Sequence, residues 1–192
     1  CRYRLGTIES ASTGAALKVQ PAQMPANMSI VGYTGLIRKD LKGIGLYIDA
    51  SVCANKFEGT DIYNFDTGIY VASPKGGKID TNWFWVSFIR TCNTCIREGS
   101  GGVDDNVWFV NVDANVKDSV AVRTAANYGK WHIIMGAWGH AKVNKAIILD
   151  PGATANILEV HPPIEQFIWE DNSGNDTNVI LGAQRPPFRP LK

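Results

Sequence analysis

The sequence contains a short apolar run, Trp83-Phe-Trp-Val86, that is followed by Val107-Trp-Phe-Val110 and then by Trp131-His-Ile-Ile-Met135. Each run starts 24 residues after the one before it. Short runs that are rich in β-branched and aromatic residues are typical of buried β-strands. A fixed period of this size indicates a repeat architecture, in which each repeat buries its apolar face against its neighbours.

Three apolar columns share a period of about 25 residues from Gly43 onward, and polar, turn-rich segments separate three short strands in each period. A coil of three parallel sheets satisfies this pattern, because each strand then pairs with its equivalent one turn away, about 4.8 Å along the axis. The sequence therefore predicts an all-β parallel β-helix of about five to six rungs. An antiparallel β-sandwich, which also has short strands at regular spacing, stays open as the alternative. The columns are Phe57, Trp83, Val107, Trp131 and Ile157; Ile62, Phe88, Val112, Trp138 and Ile164; and Leu46, Ile69, Ile96, Val120 and Ile147.

Four rungs and four asparagines at the joins between strands carry a resemblance to a known superfamily. The rungs are Thr67-Gly-Ile-Tyr-Val71, Thr94-Cys-Ile-Arg-Glu98, Ser119-Val-Ala-Val-Arg123 and Lys145-Ala-Ile-Ile-Leu149, and the asparagines are Asn55, Asn82, Asn106 and Asn156. In these features the chain resembles the right-handed, single-stranded parallel β-helices, which include pectin-lyase-like proteins and phage tailspikes. The resemblance covers residues 27–182. It implies a right-handed coil, and tailspike-like proteins are commonly homotrimers.

The two ends of the chain differ from the repeats. Residues 1–26 are expected to form an irregular entry segment or cap. Residues 183–192 are rich in proline, which cannot continue a sheet ladder, so they are expected to form an extended tail. The chain begins at Cys1 rather than Met, so it is expected to be a processed protein or a piece of a longer one.

The composition and charge of the chain argue against several classes of protein. The chain has 192 residues, of which 45% are hydrophobic, and a formal net charge of +1, which excludes intrinsic disorder and argues against a nucleic-acid partner. It contains no run of 18 apolar residues, so no membrane span is predicted. Cys92-Asn-Thr-Cys95 is a single CxxC without a second pair, and we interpret both cysteines as small buried residues. No metal and no cofactor are predicted.

The outward positions of the first column suggest a binding surface. Alternate residues of a strand face opposite sides, so the residues that follow the column should point outward. Among them, Phe84, Trp108 and His132 are predicted to form an aromatic row at a glycan or subunit interface. The runs around them are apolar on both faces, which indicates that a second copy, the tail or a ligand covers this side.

Three carboxylates are the candidate catalytic residues. Asp80 and Asp104 each lie three residues before an aligned run, so they are expected in adjacent turns, with Asp105 beside them. Cleavage of a glycosidic bond needs paired carboxylates, and repulsion within a pair would raise one pKa. The segments Asp80-Thr-Asn82, Asp104-Asp105 and Gly139-His140 are similar to motifs of polygalacturonase-type hydrolases. Ala141 departs from the pattern, because a second glycine belongs there.

These observations lead to three hypotheses. The first is a β-helical surface or virion protein of the tailspike or fibre type, extracellular or on a virion surface. It would bind a polysaccharide or serve as a rigid, homotrimeric assembly subunit. The second is a polysaccharide-cleaving enzyme, a hydrolase or lyase of pectin-lyase-like fold. The third is a purely structural spacer.

Overall fold

The structure, a computed structural model, describes residues 2–11, 13–20, 30–73, 77–113, 115–135, 145–161 and 168–182. These residues form eighteen β-strands and no helix. In chain order the strands are β1 (Arg2–Ser10), β2 (Ala15–Val19), β3 (Ile30–Arg38), β4 (Ile44–Ile48), β5 (Val52–Cys53), β6 (Lys56–Tyr63), β7 (Thr67–Val71), β8 (Ile79–Asp80), β9 (Trp83–Arg90), β10 (Thr94–Glu98), β11 (Val103–Asp104), β12 (Val107–Asp113), β13 (Val120–Thr124), β14 (Lys130–Met135), β15 (Lys145–Leu149), β16 (Ile157–His161), β17 (Ile168–Asp171) and β18 (Val179–Leu181).

The strands form three parallel sheets. The first has the order β1-β3-β6-β9-β12-β14-β16-β18, the second β2-β4-β7-β10-β13-β15-β17, and the third β5-β8-β11, which single bridges extend to Asn127 and Thr154. Each strand pairs with the equivalent strand of the next turn, so the chain winds as a parallel β-solenoid of about six turns. The predicted parallel β-helix is confirmed. The antiparallel sandwich is wrong, because all pairings between the named strands are parallel.

The solenoid begins earlier than the sequence indicated. Strands β1 and β2 both lie within residues 1–26, which were expected to be irregular, and they pair in parallel with β3 and β4. Tyr3 and Leu5 are in register with Val31 and Tyr33, so β1 extends the first sheet by one strand, with both side chains exposed. The Pro-rich tail 183–192 lies outside the described residues.

A stack of large rings fills the core behind the first sheet. Phe57, Phe84, Trp108 and Trp131 occupy one register column on consecutive strands, and each is at most 3% exposed. Their ring centroids are 4.9, 3.8 and 4.8 Å apart in order along the column. Because the strand spacing sets the ring spacing, this column holds the turns in register by parallel stacking.

One carboxyl group is buried against this stack. Glu98 is 1% exposed and accepts hydrogen bonds from Trp108 Nε1 at 2.9 Å and from the Thr124 hydroxyl at 3.0 Å. Asn106 Nδ2 lies 3.4 Å from the same carboxylate. Burial raises the pKa of Glu98 to about 7, although these three hydrogen bonds act to lower it. The solenoid core therefore contains a group that titrates near neutral pH.

Asparagines form a ladder at the corner between the third and first sheets. Asn82 Oδ1 accepts the backbone N–H of Asn55 at 3.0 Å, and Asn106 Oδ1 accepts that of Asn82 at 3.1 Å. The ladder continues from Gly129 to Asn156 and on to Asn178. The residue before each buried ladder position has a positive φ, which turns the chain sharply at this corner; these residues are Ala54, Thr81, Asp105, Tyr128 and Ala155. The ladder thus fixes the residue at which each strand of the first sheet begins.

Removal of a central ladder side chain should destabilise the fold. Asn156 is fully buried, accepts the Gly129 N–H at 2.9 Å and donates to the Ala126 carbonyl at 2.8 Å. Asn156→Ala leaves both backbone groups without these partners, so we expect the free energy of unfolding to fall by about 2 kcal/mol. Asn93→Ala is the matched control, since Asn93 hydrogen-bonds Asp66 in an exposed position and its loss should change stability by less than about 0.5 kcal/mol. Urea denaturation followed by circular dichroism measures both, and equal effects would contradict the structural role of the ladder.

Candidate functional site

The outer face of the first sheet displays large aromatic side chains. On β9, Trp83 is 48% exposed, Trp85 is 53% exposed and Phe88 is 45% exposed, whereas Phe84 between them is buried. On the next strand, Phe109 is partly buried and faces the same side as Trp85, with which it is in register. An outward aromatic surface therefore exists, as the sequence indicated, but other residues form it.

Two of the three residues predicted for the aromatic row lie in the core. Phe84 and Trp108 are fully buried, so the prediction that their rings face outward is wrong. The predicted column aligned Phe57 with Trp83, but the structure pairs Phe57 with Phe84. A shift of one residue moves every side chain of a strand to the opposite face, which explains the exchange. His132 does face outward and is partly exposed.

The outer aromatic row consists of Trp83, Trp85, Phe109 and His132. The ring centroid of Phe109 lies 5.2 Å from that of Trp85, 6.2 Å from that of Trp83 and 5.9 Å from that of His132. Lys56 places its ammonium group 5.7 Å from the Trp85 ring. The row crosses strands β9, β12 and β14, so it runs along the solenoid axis.

Two grooves flank the outer aromatic row. One, of about 530 Å³, is lined on its polar side by Arg4, Lys56 and Glu58 and on its aromatic side by Trp85. Lys56 Nζ lies 2.6 Å from Glu58 Oε1, and this hydrogen bond lowers the pKa of Glu58. Opposite charges therefore stand side by side in this groove, without a strong excess of either sign.

The second groove, of about 630 Å³, lies beyond Phe88 and includes Arg90, Asn111 and Asp113 in its lining. Arg90 donates two hydrogen bonds to Asp61, at 3.1 and 2.6 Å. Burial raises the pKa of Asp113, and the charge of Arg90 partly opposes that rise. The Oδ1 atom of Asn111 is buried without a hydrogen-bond partner among the described residues. The guanidinium group of Arg90 and the carboxylate of Asp113 beside the Phe88 ring suit a ligand with many hydroxyl groups.

The three candidate catalytic carboxylates lie outside the first sheet, in and next to the third sheet, which meets the first sheet at the asparagine corner. Asp80 and Asp104 are in register on adjacent strands, as expected, and Asp105 follows with a φ of 49° and an exposed side chain. Burial acts to raise the pKa of Asp80, but hydrogen bonds from Lys78 and Thr81 outweigh it and lower the pKa. The expectation of a raised pKa is therefore wrong for Asp80. Asp104 Oδ1 accepts a hydrogen bond from Asn127 Nδ2 at 3.0 Å. His140 of the third hydrolase-like motif lies outside the described residues.

A cluster that sequence reasoning missed extends the outer aromatic row toward the last strands. His132 Nδ1 lies 3.3 Å from Glu159 Oε2, and His161 Nε2 lies 2.8 Å from Glu159 Oε1. The two imidazole centroids are 5.1 Å apart. Hydrogen bonds to His161 and His132 lower the pKa of Glu159. The sequence signal for this cluster is the spacing Glu159-Val-His161, which places both side chains on one face of a strand. The structure pairs His132 with Glu159 on the next turn.

The CxxC motif lies in the core. Cys92 and Cys95 are both fully buried, and both are free thiols. Burial and a hydrogen bond with Cys92 raise the pKa of Cys95, with the hydrogen bond the larger cause. The interpretation of these cysteines as small buried residues is therefore confirmed.

Comparison with known proteins adds no family to this description: no protein-family model, no curated protein and no solved structure matches the chain. The class defined by the chain itself is a parallel β-solenoid with an exposed aromatic face. Among the described residues, no helix has the length and apolar character that a membrane crossing requires.

Proposed function

We propose that the protein is a β-helical glycan-binding protein of the tailspike or fibre type, located on a virion or at an extracellular surface. The observation that carries this proposal is the outer aromatic row. Two tryptophans, each about half exposed, stand on one strand, and a phenylalanine on the next strand lies against both. Large rings that could have been buried are instead held in solvent by the register of the solenoid, which is typical of an interaction surface.

The surroundings of the row fit a polysaccharide. Sugars present apolar C–H faces together with many hydroxyl groups, so they need rings beside hydrogen-bonding side chains. Lys56 and Glu58 supply these groups on one side of Trp85, and Arg90 and Asp113 supply them beside Phe88. Because the row runs along the axis, a linear glycan could contact Trp85, Phe109 and His132 in turn.

Glycan binding should depend on Trp85. We expect Trp85→Ala to weaken binding at least about tenfold, the effect of losing about 1.4 kcal/mol of contact energy, with little change in stability. The measurement is retention on a panel of immobilised acidic and neutral polysaccharides, followed by calorimetry with the polysaccharide that is retained. Tyr128→Asn is the matched control, because Tyr128 is also about half exposed (52%) but lies at a turn away from the row.

Wild-type binding by the Tyr128→Asn variant together with lost binding by Trp85→Ala supports the proposal. Retention of no polysaccharide by the wild type, or equal binding by both variants, contradicts it. The same incubations are scored for reducing ends and unsaturated products, which tests the enzymatic alternative. If the wild type cleaves a polysaccharide and Asp104→Asn cleaves it equally well, the predicted carboxylates Asp80, Asp104 and Asp105 are not the catalytic residues.

Self-association is the second candidate function. The same face continues toward the C-terminal strands with exposed apolar residues, so the surface is larger than the outer aromatic row. Side-by-side association of three copies through this face would make the chain a rigid assembly subunit. Light scattering after size-exclusion chromatography distinguishes the cases, since a trimer has three times the 21.0 kDa mass of the chain. The apolar residues are Ile134 (43% exposed), Ile157 (45%), Val179 (44%) and Leu181 (49%).

A further inference from the structure

Three side chains with metal-ligating atoms converge at one end of the outer face of the first sheet. In the parallel register of β14 and β16, His132 lies opposite Glu159, and Ile134 lies opposite His161. Residues two apart on a strand face the same side, so Glu159 and His161 both point outward with His132. The solenoid therefore places two imidazoles and one carboxylate in a triangle across two turns.

The distances in this triangle match those of a coordinated ion. One ligand atom from each of the three residues can be chosen so that all lie within 4.8 Å of one another. His132 Nδ1 lies 3.3 Å from Glu159 Oε2, and His161 Nε2 lies 2.8 Å from the other oxygen, Oε1. Around a tetrahedral zinc ion with bonds of about 2.0–2.1 Å, neighbouring ligand atoms are about 3.3 Å apart. Small rotations of the side chains would bring all three to this geometry, and side-chain exposures between 40% and 47% leave room for them.

We infer that His132, Glu159 and His161 form a binding site for one divalent transition-metal ion, best suited to zinc. Imidazole nitrogen and carboxylate oxygen are ligands that zinc accepts, whereas calcium and magnesium require oxygen ligands. Three protein ligands leave the fourth position open to water or to a hydroxyl group of a ligand. Through Glu159 and His161 on one strand and His132 on the other, the ion would also link two turns of the solenoid.

Calorimetric titration of the full chain with zinc chloride tests the site directly. The protein is first stripped with a chelator and kept reduced. We expect one zinc ion per chain, no binding of calcium or magnesium at the same concentrations, and a higher midpoint of thermal unfolding when zinc is present. His132→Asn, Glu159→Gln and His161→Asn should each weaken zinc binding at least about tenfold.

Two variants control for other ligands in the chain. His140→Asn removes the one histidine besides His132 and His161, and Cys53→Ser removes a partly buried thiol that lies outside the cluster. Both should bind zinc as the wild type does. Wild-type affinity in Glu159→Gln, or loss of binding in His140→Asn or Cys53→Ser, would overturn the inference. His132 belongs to both the outer aromatic row and the metal site. Trp85→Ala should weaken glycan binding but retain zinc binding, so failure of the zinc site can be distinguished from failure of the proposed glycan function.

Discussion

Replacement of Trp108 by alanine is expected to lower the free energy of unfolding by about 3–5 kcal/mol, the largest effect of any substitution considered in this protein. Trp108 is fully buried, with Phe84 at 3.8 Å on one side and Trp131 at 4.8 Å on the other, measured between ring centroids. Its removal opens a cavity in the middle of the ring stack. It also takes away the indole N–H that Glu98 accepts at 2.9 Å, which adds to the loss.

Two comparison variants separate these contributions. Trp108→Phe keeps a ring in the stack but removes the donor to Glu98, so we expect a smaller loss, of about 1–3 kcal/mol. Trp85→Ala removes an equally large ring from the outer face and should change stability by less than about 1 kcal/mol. Urea denaturation followed by far-UV circular dichroism measures all three. A stable Trp108→Ala variant beside an unfolded Trp85→Ala variant would reverse the assignment of inner and outer faces.

The sequence was sufficient to predict the architecture. Apolar residues that recur at one period can be buried against the equivalent residues of the neighbouring turns. Leu46, Ile69 and Ile96 pair in the second sheet with the predicted register. One error lies in this same column, where Val122 and not Val120 pairs with Ile96 and Ile147. A second lies in the first sheet, where Trp83 was placed inside and Phe84 outside. In a run that is apolar at every position, alternation gives no signal about which face is buried.

The asparagines contain the information that the apolar runs lack. The ladder steps are 27 residues from Asn55 to Asn82 and 24 from Asn82 to Asn106. Because turn lengths differ, an average period cannot resolve a shift of one residue, but a buried side chain that bonds its equivalent in the next turn can. Alignment of the asparagines would have aligned Phe57 with Phe84 rather than with Trp83. At one turn the ladder position holds Gly129 instead of an asparagine, because a Cβ there would lie 2.6 Å from Trp131 Nε1.

Glu98→Gln is expected to remove a pH dependence of stability that amounts to about 3 kcal/mol. Burial raises the pKa of Glu98 to about 7 in the folded protein, against an ordinary value of 4.5. Because the folded state holds the proton more tightly, the contribution of Glu98 to stability is fully present below about pH 4.5. It decreases as the pH rises and is lost above about pH 7. Glutamine keeps the shape and an acceptor for Trp108 without the charge, so the variant should be the more stable protein at pH 8.

The measurement is the free energy of unfolding of the wild type and of Glu98→Gln at pH 5 and at pH 8. The difference between the two proteins should grow by about 2–3 kcal/mol in favour of glutamine over this range. Glu58→Gln is the control, because Lys56 lowers the pKa of that exposed carboxyl and its contribution changes only in more acidic solution. A difference between wild type and Glu98→Gln that is the same at both pH values would show that Glu98 is already ionised in the folded protein at pH 5. The hydrogen bonds from Trp108 and Thr124 would then outweigh burial.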